Sequence, residues 1–131
     1  MQRTRISTAN APAAQGAYNQ AILCGQFVYT SGQIALDPAS SELVGDDVQA
    51  QTHRVLQNLQ AVLNSAGTSL ASAIKTTVFL RRMSDFQAMN AVYATYFEGP
   101  NGLMPARTTV AVAELPRNAL VEIECVALVE S

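Results

Sequence analysis

Hydrophobic positions recur along the chain in two rhythms. From Val48 they step mostly by three and four, through Val55, Leu59, Val62, Leu63 and Ala66. A single apolar stripe at that spacing predicts an amphipathic helix. Its start falls near Asp46-Asp47, with Gln49 three residues after Asp46 in an N-cap pattern, and Gly67 stands where such a helix stops. Phe86, Met89, Tyr93, Tyr96 and Phe97 form a second stripe and predict a second helix. Ser84 and Gln87 are spaced as a capping box at its start, and Glu98-Gly99-Pro100-Asn101-Gly102 ends it.

Short β-forming runs make up the other rhythm. They fall near residues 3–7, at Ala21–Cys24 and Phe27–Thr30, and over 74–80, 107–113 and 120–129. Gly25-Gln26 joins the second and third runs as a hairpin, and Pro116-Arg117-Asn118 turns the chain between the last two. Residues 8–16 are small, polar and turn-prone, and Asp37-Pro38-Ala39-Ser40-Ser41 is a second turn cluster. The order is roughly β-β-β-α-β-α-β-β. It predicts an α+β domain, a mixed β-sheet with two helices on one face. No repeat or linker interrupts it, so residues 1–131 are read as one domain.

The last strand carries Val121, Ile123, Cys125, Ala127 and Val129 on one side and Leu120, Glu122, Glu124, Val126 and Leu128 on the other. In 107–113, Val110 and Val112 alternate with Ala111 and Ala113. Two helices cover one face of such a sheet, which leaves a second, largely apolar face without a cover. A large exposed apolar patch marks an interface, so a homo-oligomer with packed sheets is expected.

Composition narrows the chemistry. The chain has 131 residues, 49% hydrophobic, enough for a core without disulfide or metal staples. Its net charge is −2 and only Arg81-Arg82 are adjacent basic residues, which argues against nucleic acid as a partner. No apolar run reaches membrane-span length, and the basic start is not followed by a signal-like apolar stretch. Cys24 and Cys125 sit in apolar runs and read as reduced, buried thiols, which points to a cytoplasmic protein. With one histidine and two cysteines there is no usual zinc set, and His53 reads as a solvated helix residue. No metal is expected.

Three places could carry chemistry. In Pro105-Ala106-Arg107-Thr108-Thr109, Arg107 stands at a strand start, where a guanidinium suits a bidentate grip on a carboxylate; from residue type alone a structural salt bridge or a solvated strand end is the commoner reading. Glu122 lies inside an apolar strand, two residues from Glu124, so both point to the same side. Such a carboxylate pairs with a cation, takes a raised pKa suited to proton transfer, or faces water on an edge strand. The third place is polar: Tyr18, the turn Ser31-Gly32-Gln33, where a glycine lets backbone amides approach a ligand, and Asn90, one step off the second stripe.

Taken in order, these segments resemble the RidA/YjgF family of enamine/imine deaminases. The resemblance runs through 10–21 (Asn-Ala-Pro-Ala-Ala-Gln-Gly-Ala-Tyr-Asn-Gln-Ala), Tyr29-Thr30-Ser31-Gly32-Gln33-Ile34 and Ile74-Lys75-Thr76-Thr77-Val78-Phe79-Leu80. It continues in Phe86, Asn90, Tyr93 and Phe97, in Pro105-Ala106-Arg107-Thr108-Thr109-Val110, and in Leu115-Pro116 with Val121-Glu122-Ile123-Glu124.

The resemblance implies a chorismate-mutase-like (YjgF-like) fold, a homotrimer with clefts between subunits, and hydrolysis of 2-imino acids such as 2-iminopropanoate and 2-iminobutanoate to 2-keto acids and ammonia, with no cofactor. It implies that Arg107 grips the substrate carboxylate, that Glu122 positions or activates water, and that Tyr18, Ser31, Gly32, Asn90 and Thr109 line the same cleft. Thr109 stands where many members have cysteine and Met104 where phenylalanine is frequent. A thiolate role is thereby excluded at 109, which favours a mechanism without a covalent intermediate. The competing readings are a non-catalytic keto-acid binding or regulatory module, a deaminase of a larger, pathway-specific substrate, and, against the charge balance, a ribonuclease.

Overall fold

The computed structural model describes residues 1–130. Six strands form one sheet: β1 (Arg3–Ile6), β2 (Ala21–Cys24), β3 (Phe27–Thr30), β4 (Ala73–Leu80), β5 (Ala106–Ala111) and β6 (Val121–Leu128). Two α-helices, α1 (Val48–Ser65) and α2 (Phe86–Phe97), accompany them. The strand order is β1-β2-β3-β6-β4-β5, antiparallel except for the parallel pair β4 and β5, which α2 connects. A parallel pair needs such a crossover, because a tight turn reverses the chain. The mixed sheet with two helices is therefore observed, and the predicted strands sit within one to two residues of their expected ends.

The first helix is capped by Asp47, not by Asp46: its Oδ1 accepts from the Ala50 N–H at 2.8 Å. The other end closes as the glycine signal predicts. Gly67 takes φ 88°, its N–H donates to the Asn64 carbonyl, and the Thr68 N–H reaches the Leu63 carbonyl, the paired bonds of a left-handed stop. The capping box expected at Ser84 does not form. Met83–Asp85 make a 3-10 turn instead, and Asp85 takes the cap position without a side-chain bond.

The core lies between the helices and one face of the sheet. Val55, Leu59, Val62 and Leu63 of α1 and Met89, Tyr93 and Phe97 of α2 are buried against Val78, Leu80, Val121, Ile123 and Ala127. Three buried polar side chains of α1 fall outside the apolar pattern. Asn58 donates to the carbonyls of Ile34 and Leu36, Gln51 bridges Gly45 and Leu120, and Thr52 bonds back to Val48. Asn58 and Gln51 thereby pair loop groups that would otherwise be buried unsatisfied, and Thr52 satisfies its own buried hydroxyl.

The opposite face is uncovered. Residues of β6 alternate between buried and half-buried, with Val126 and Leu128 on the outer side beside Tyr29 and Phe27. Tyr29 is 50% exposed and Val110, paired with Phe79 on the same side, 39% exposed.

Candidate active site

The polar candidates resolve into two clusters on opposite faces of the sheet. Arg107 pairs in register with Thr76 of β4, and Thr76 is buried on the helix side, where its hydroxyl meets the Tyr93 hydroxyl at 2.6 Å. Glu122 pairs with Phe79, three residues further along β4 and so of opposite parity. Cross-strand partners share a face. Arg107 thus projects to the helix side and Glu122 to the uncovered side.

Around Arg107 the orientation comes from α2. Its Nη1 donates to Asn90 Oδ1 at 2.6 Å. The guanidinium carbon lies 4.7 Å from the centre of the Tyr93 ring and 5.3 Å from that of Phe86. Stacking of this kind contributes about 0.5–2 kcal/mol, and it presents one face of the fork while leaving most of the five donors unused. The Tyr93 hydroxyl is held above its usual pKa, first by burial, against the opposing pull of Thr76 and Arg107. Thr109 follows on the same side. Among the described residues its Oγ1 is the one buried side-chain polar atom without a hydrogen-bond partner. Asn90 and Thr109 therefore fall with Arg107, whereas Tyr18, Gly32 and Glu122, expected in the same cleft, lie apart from them in this chain.

Around Glu122 the orientation comes from a loop laid along β6. Gln33 exchanges both backbone bonds with Ile123, which draws Ser31-Gly32 past the glutamate. A Cβ on Gly32 would stand 2.8 Å from Glu122 Oε2, so only glycine leaves room for the carboxylate here. The Glu122 pKa is raised, first by burial and then by the charge of Glu124, and no cation opposes them. Tyr18, Gly32 and Glu122 line one cleft of about 210 Å³, together with Gln33, Pro116 and Arg117. Tyr18 is 51% exposed, and its hydroxyl accepts from the Gln15 N–H.

Ser31 is committed to the fold. Its hydroxyl donates to the Asn19 carbonyl at 2.6 Å and its N–H to the Gln20 carbonyl. Sequence reasoning missed Gln20. This buried side chain ties the 8–16 loop down through Thr8, Ala11 and Pro12, and so fixes the Tyr18 side of the cleft. It also missed Arg117, read only as a turn residue.

Among the described residues no group of three or more His, Cys, Asp and Glu side chains could hold a metal ion. No helix is long and apolar enough to cross a membrane. Both cysteines are free, and burial pushes the Cys125 thiol up to about 12.

Comparison with known proteins identifies the family and the fold. The family model described as Endoribonuclease L-PSP matches residues 8–129, and the chain belongs to that family, the YjgF/RidA family. A RutC family protein of Synechocystis is 51% identical over 124 residues, 94% of each chain. The 2-iminobutanoate/2-iminopropanoate deaminase of Salmonella typhimurium is 43% identical over 94% of this chain and 95% of its own. The crystal structure of E. coli TdcF with bound serine superposes with a TM-score of 0.90 at 38% identity, covering 97% of this chain and 99% of that one. The family expected from the motifs is thus established, and the six-stranded mixed sheet with two helices is its fold.

Proposed function

We propose that this protein is a hydrolytic deaminase that converts small 2-imino acids, 2-iminopropanoate and 2-iminobutanoate among them, to 2-keto acids and ammonia in the cytosol. The observation that carries it is the division of the chemistry: a pre-aimed guanidinium on one face of the sheet and a half-buried, unpaired acid on the other. One chain cannot close both around a small molecule. β5 is the edge strand of the sheet, and in a homotrimer whose uncovered faces turn inward that edge borders the next subunit, so that Arg107 of one subunit meets Glu122 of the next. Relatives named as deaminases of these imino acids, and a relative with serine bound, support the substrate class.

In this site two parallel N–H···O bonds from Arg107 hold the substrate carboxylate and aim the C=N carbon. Asn90 and the Tyr93 ring hold the guanidinium still. Glu122 accepts a hydrogen bond from water and takes its proton as oxygen adds to the carbon. Starting from the protonated imine, this gives a neutral carbinolamine, and Glu122 returns its proton to the nitrogen. As the C–N bond breaks and ammonia leaves, the carboxylate takes the hydroxyl proton, C=O forms, and that proton goes on to ammonia, giving ammonium. A raised carboxyl pKa suits an acid that must both take and return a proton. Gly32 lines the same cleft, and its N–H makes no backbone bond among the described residues. The family description names an endoribonuclease, but eight scattered basic residues and a net charge of −2 give no stripe for phosphates.

The test couples the protein to a pyridoxal-phosphate threonine dehydratase and follows 2-ketobutanoate release. The protein should accelerate release. Arg107→Ala should remove roughly 10²–10⁴-fold of that acceleration, the value of two charge-assisted hydrogen bonds at about 1.5–3 kcal/mol each. Full retention by Arg107→Ala refutes the carboxylate grip. Tight 2-ketobutanoate binding without any acceleration makes the protein a binding module instead.

A further inference from the structure

The Glu122 cleft contains a second charge that the mechanism above does not use. Arg117 lines it with Tyr18, Gly32 and Glu122. The residue sits in the tight turn Pro116–Asn118 with φ 59°, and Asn118 follows with φ 56°. Two consecutive non-glycine residues in the left-handed region cost about 1–2 kcal/mol each, so the surroundings must impose this turn. They do so from both ends. The Ala119 N–H closes onto the Pro116 carbonyl, and the Leu120 N–H is held by the buried Gln51 side chain at 2.8 Å. Nη1 of Arg117 donates to the carbonyl of Ser41, itself left-handed at φ 61°. The turn therefore aims a guanidinium along the cleft wall.

That guanidinium is not spent on the acid beside it. Among the described residues its one side-chain bond is to a neutral carbonyl, and the Glu122 carboxyl is raised with no cation opposing it. An acid and a guanidinium share one small cleft without neutralising each other. The remaining Arg117 donors are open to an anion that enters from outside. At about 210 Å³, the part of the site that one chain supplies has room for a carboxylate and a short chain, and the neighbouring subunit supplies the rest.

We propose that Arg117 binds a second, distal carboxylate of the substrate, so that the site takes 2-imino dicarboxylates, the imines of acidic amino acids, in preference to monocarboxylates. This rests on the deaminase reading, in which Arg107 of a neighbouring subunit holds the carboxylate next to the imine carbon. Arg117 then acts at the other end, with Glu122 and its water between the two. The distal carboxylate takes no part in bond making. It sets affinity and the position of the reacting carbon.

Two measurements separate this proposal from the reading it rests on. Calorimetry with the stable keto acids 2-oxoglutarate and 2-oxobutanoate needs no turnover. The wild type should bind 2-oxoglutarate more tightly. Arg117→Ala should cut the ratio of the two affinities by roughly 10–100-fold, the value of one charge-assisted contact. Arg117→Lys should restore part of it, and Arg107→Ala should weaken both ligands. Arg117→Gly removes the guanidinium and relieves the left-handed strain, so it tests the same contact should the alanine variant unfold. An unchanged ratio in the alanine and glycine variants, or no binding of 2-oxoglutarate to the wild type, overturns the proposal. Coupled turnover of 2-iminobutanoate and 2-iminoglutarate then reports on the deaminase reading alone: with no acceleration of either, that reading falls whatever the affinity ratio shows.

Discussion

Consider Arg107→Ala and Glu122→Gln made separately, each pure, then unfolded and refolded together. Each variant alone lacks one half of every site. Adjacent strands lie about 4.8 Å apart and successive residues about 3.3 Å, so the two-strand step from β5 to β6 and the three-residue step from Thr76 to Phe79 put the Arg107 and Glu122 backbones about 14 Å apart in one chain. Their side chains then leave the sheet in opposite directions, too far apart to meet on a substrate of a few heavy atoms. If every site instead takes Arg107 from one subunit and Glu122 from the next, random mixing in equal amounts regenerates about a quarter of the sites with both groups intact. The refolded mixture should therefore recover about a quarter of wild-type activity in the coupled dehydratase assay, while mixtures made without unfolding stay near the parental baseline until subunits exchange. Recovery indistinguishable from the two parents after verified co-assembly would refute the shared site and, with it, the placement of Glu122 in the reaction.

Two further substitutions probe the acid. Gly32→Ala places a methyl 2.8 Å from Glu122 Oε2, against the end of a flexible side chain and not against backbone; the fold should survive while kcat/KM falls by roughly 10²-fold through a displaced carboxylate, and unchanged kinetics would show that its position does not matter. Glu122→Gln should slow turnover and alter the pH dependence of stability. The folded state holds the Glu122 proton more tightly than the unfolded chain does, so its ionisation removes stability as pH rises from the ordinary glutamate value to the raised one, and the loss persists above it. On an Arg107→Ala background, which removes the guanidinium that a neighbouring subunit brings to Glu122, the Tm of Glu122→Gln should match its parent at about pH 4 and exceed it at about pH 8; a parent that is the more stable at the higher pH would place another cation against Glu122.

The elements were legible because their signals are local. The α1 stripe needs only a period, and Gly67 marks its end because few other residues take φ 88° without strain. The capping residues were less so. Asp46 and Asp47 are chemically equal, and which one caps depends on where the preceding loop turns. Ser84 lost its expected place because the chain tightens into a 3-10 turn before α2 begins. Sheet order was out of reach, since β3 pairs with β6 across most of the chain. The site inherits that limit. Arg107 and Glu122 were each recognisable as a strand-end guanidinium and an acid in an apolar strand, but the face each takes is fixed by pairing with β4 and not by its neighbours in sequence. Gln20 and Asn58 were invisible for a related reason: their partners are carbonyls of distant loops, which no side-chain pattern reveals.

The uncovered sheet face and the divided site have one physical origin. A sheet with helices on a single side must bury its other side, and Phe27, Tyr29, Phe79 and Val110 supply apolar area there. An acid placed at the margin of such a face is shielded from water, which lifts its pKa, and it need not be paired within its own chain. A guanidinium on the edge strand β5 is likewise held by Asn90 and Tyr93 while its remaining donors stay free. Each group alone is an expense to the monomer or a neutral feature of it. On the proposed reading, both become useful at the same moment, when a second copy covers the face of one subunit and borders the β5 edge of the other. Assembly and catalysis are then one requirement on the sequence, and any substitution on the uncovered face that prevents association should abolish turnover while Arg107 and Glu122 are both intact.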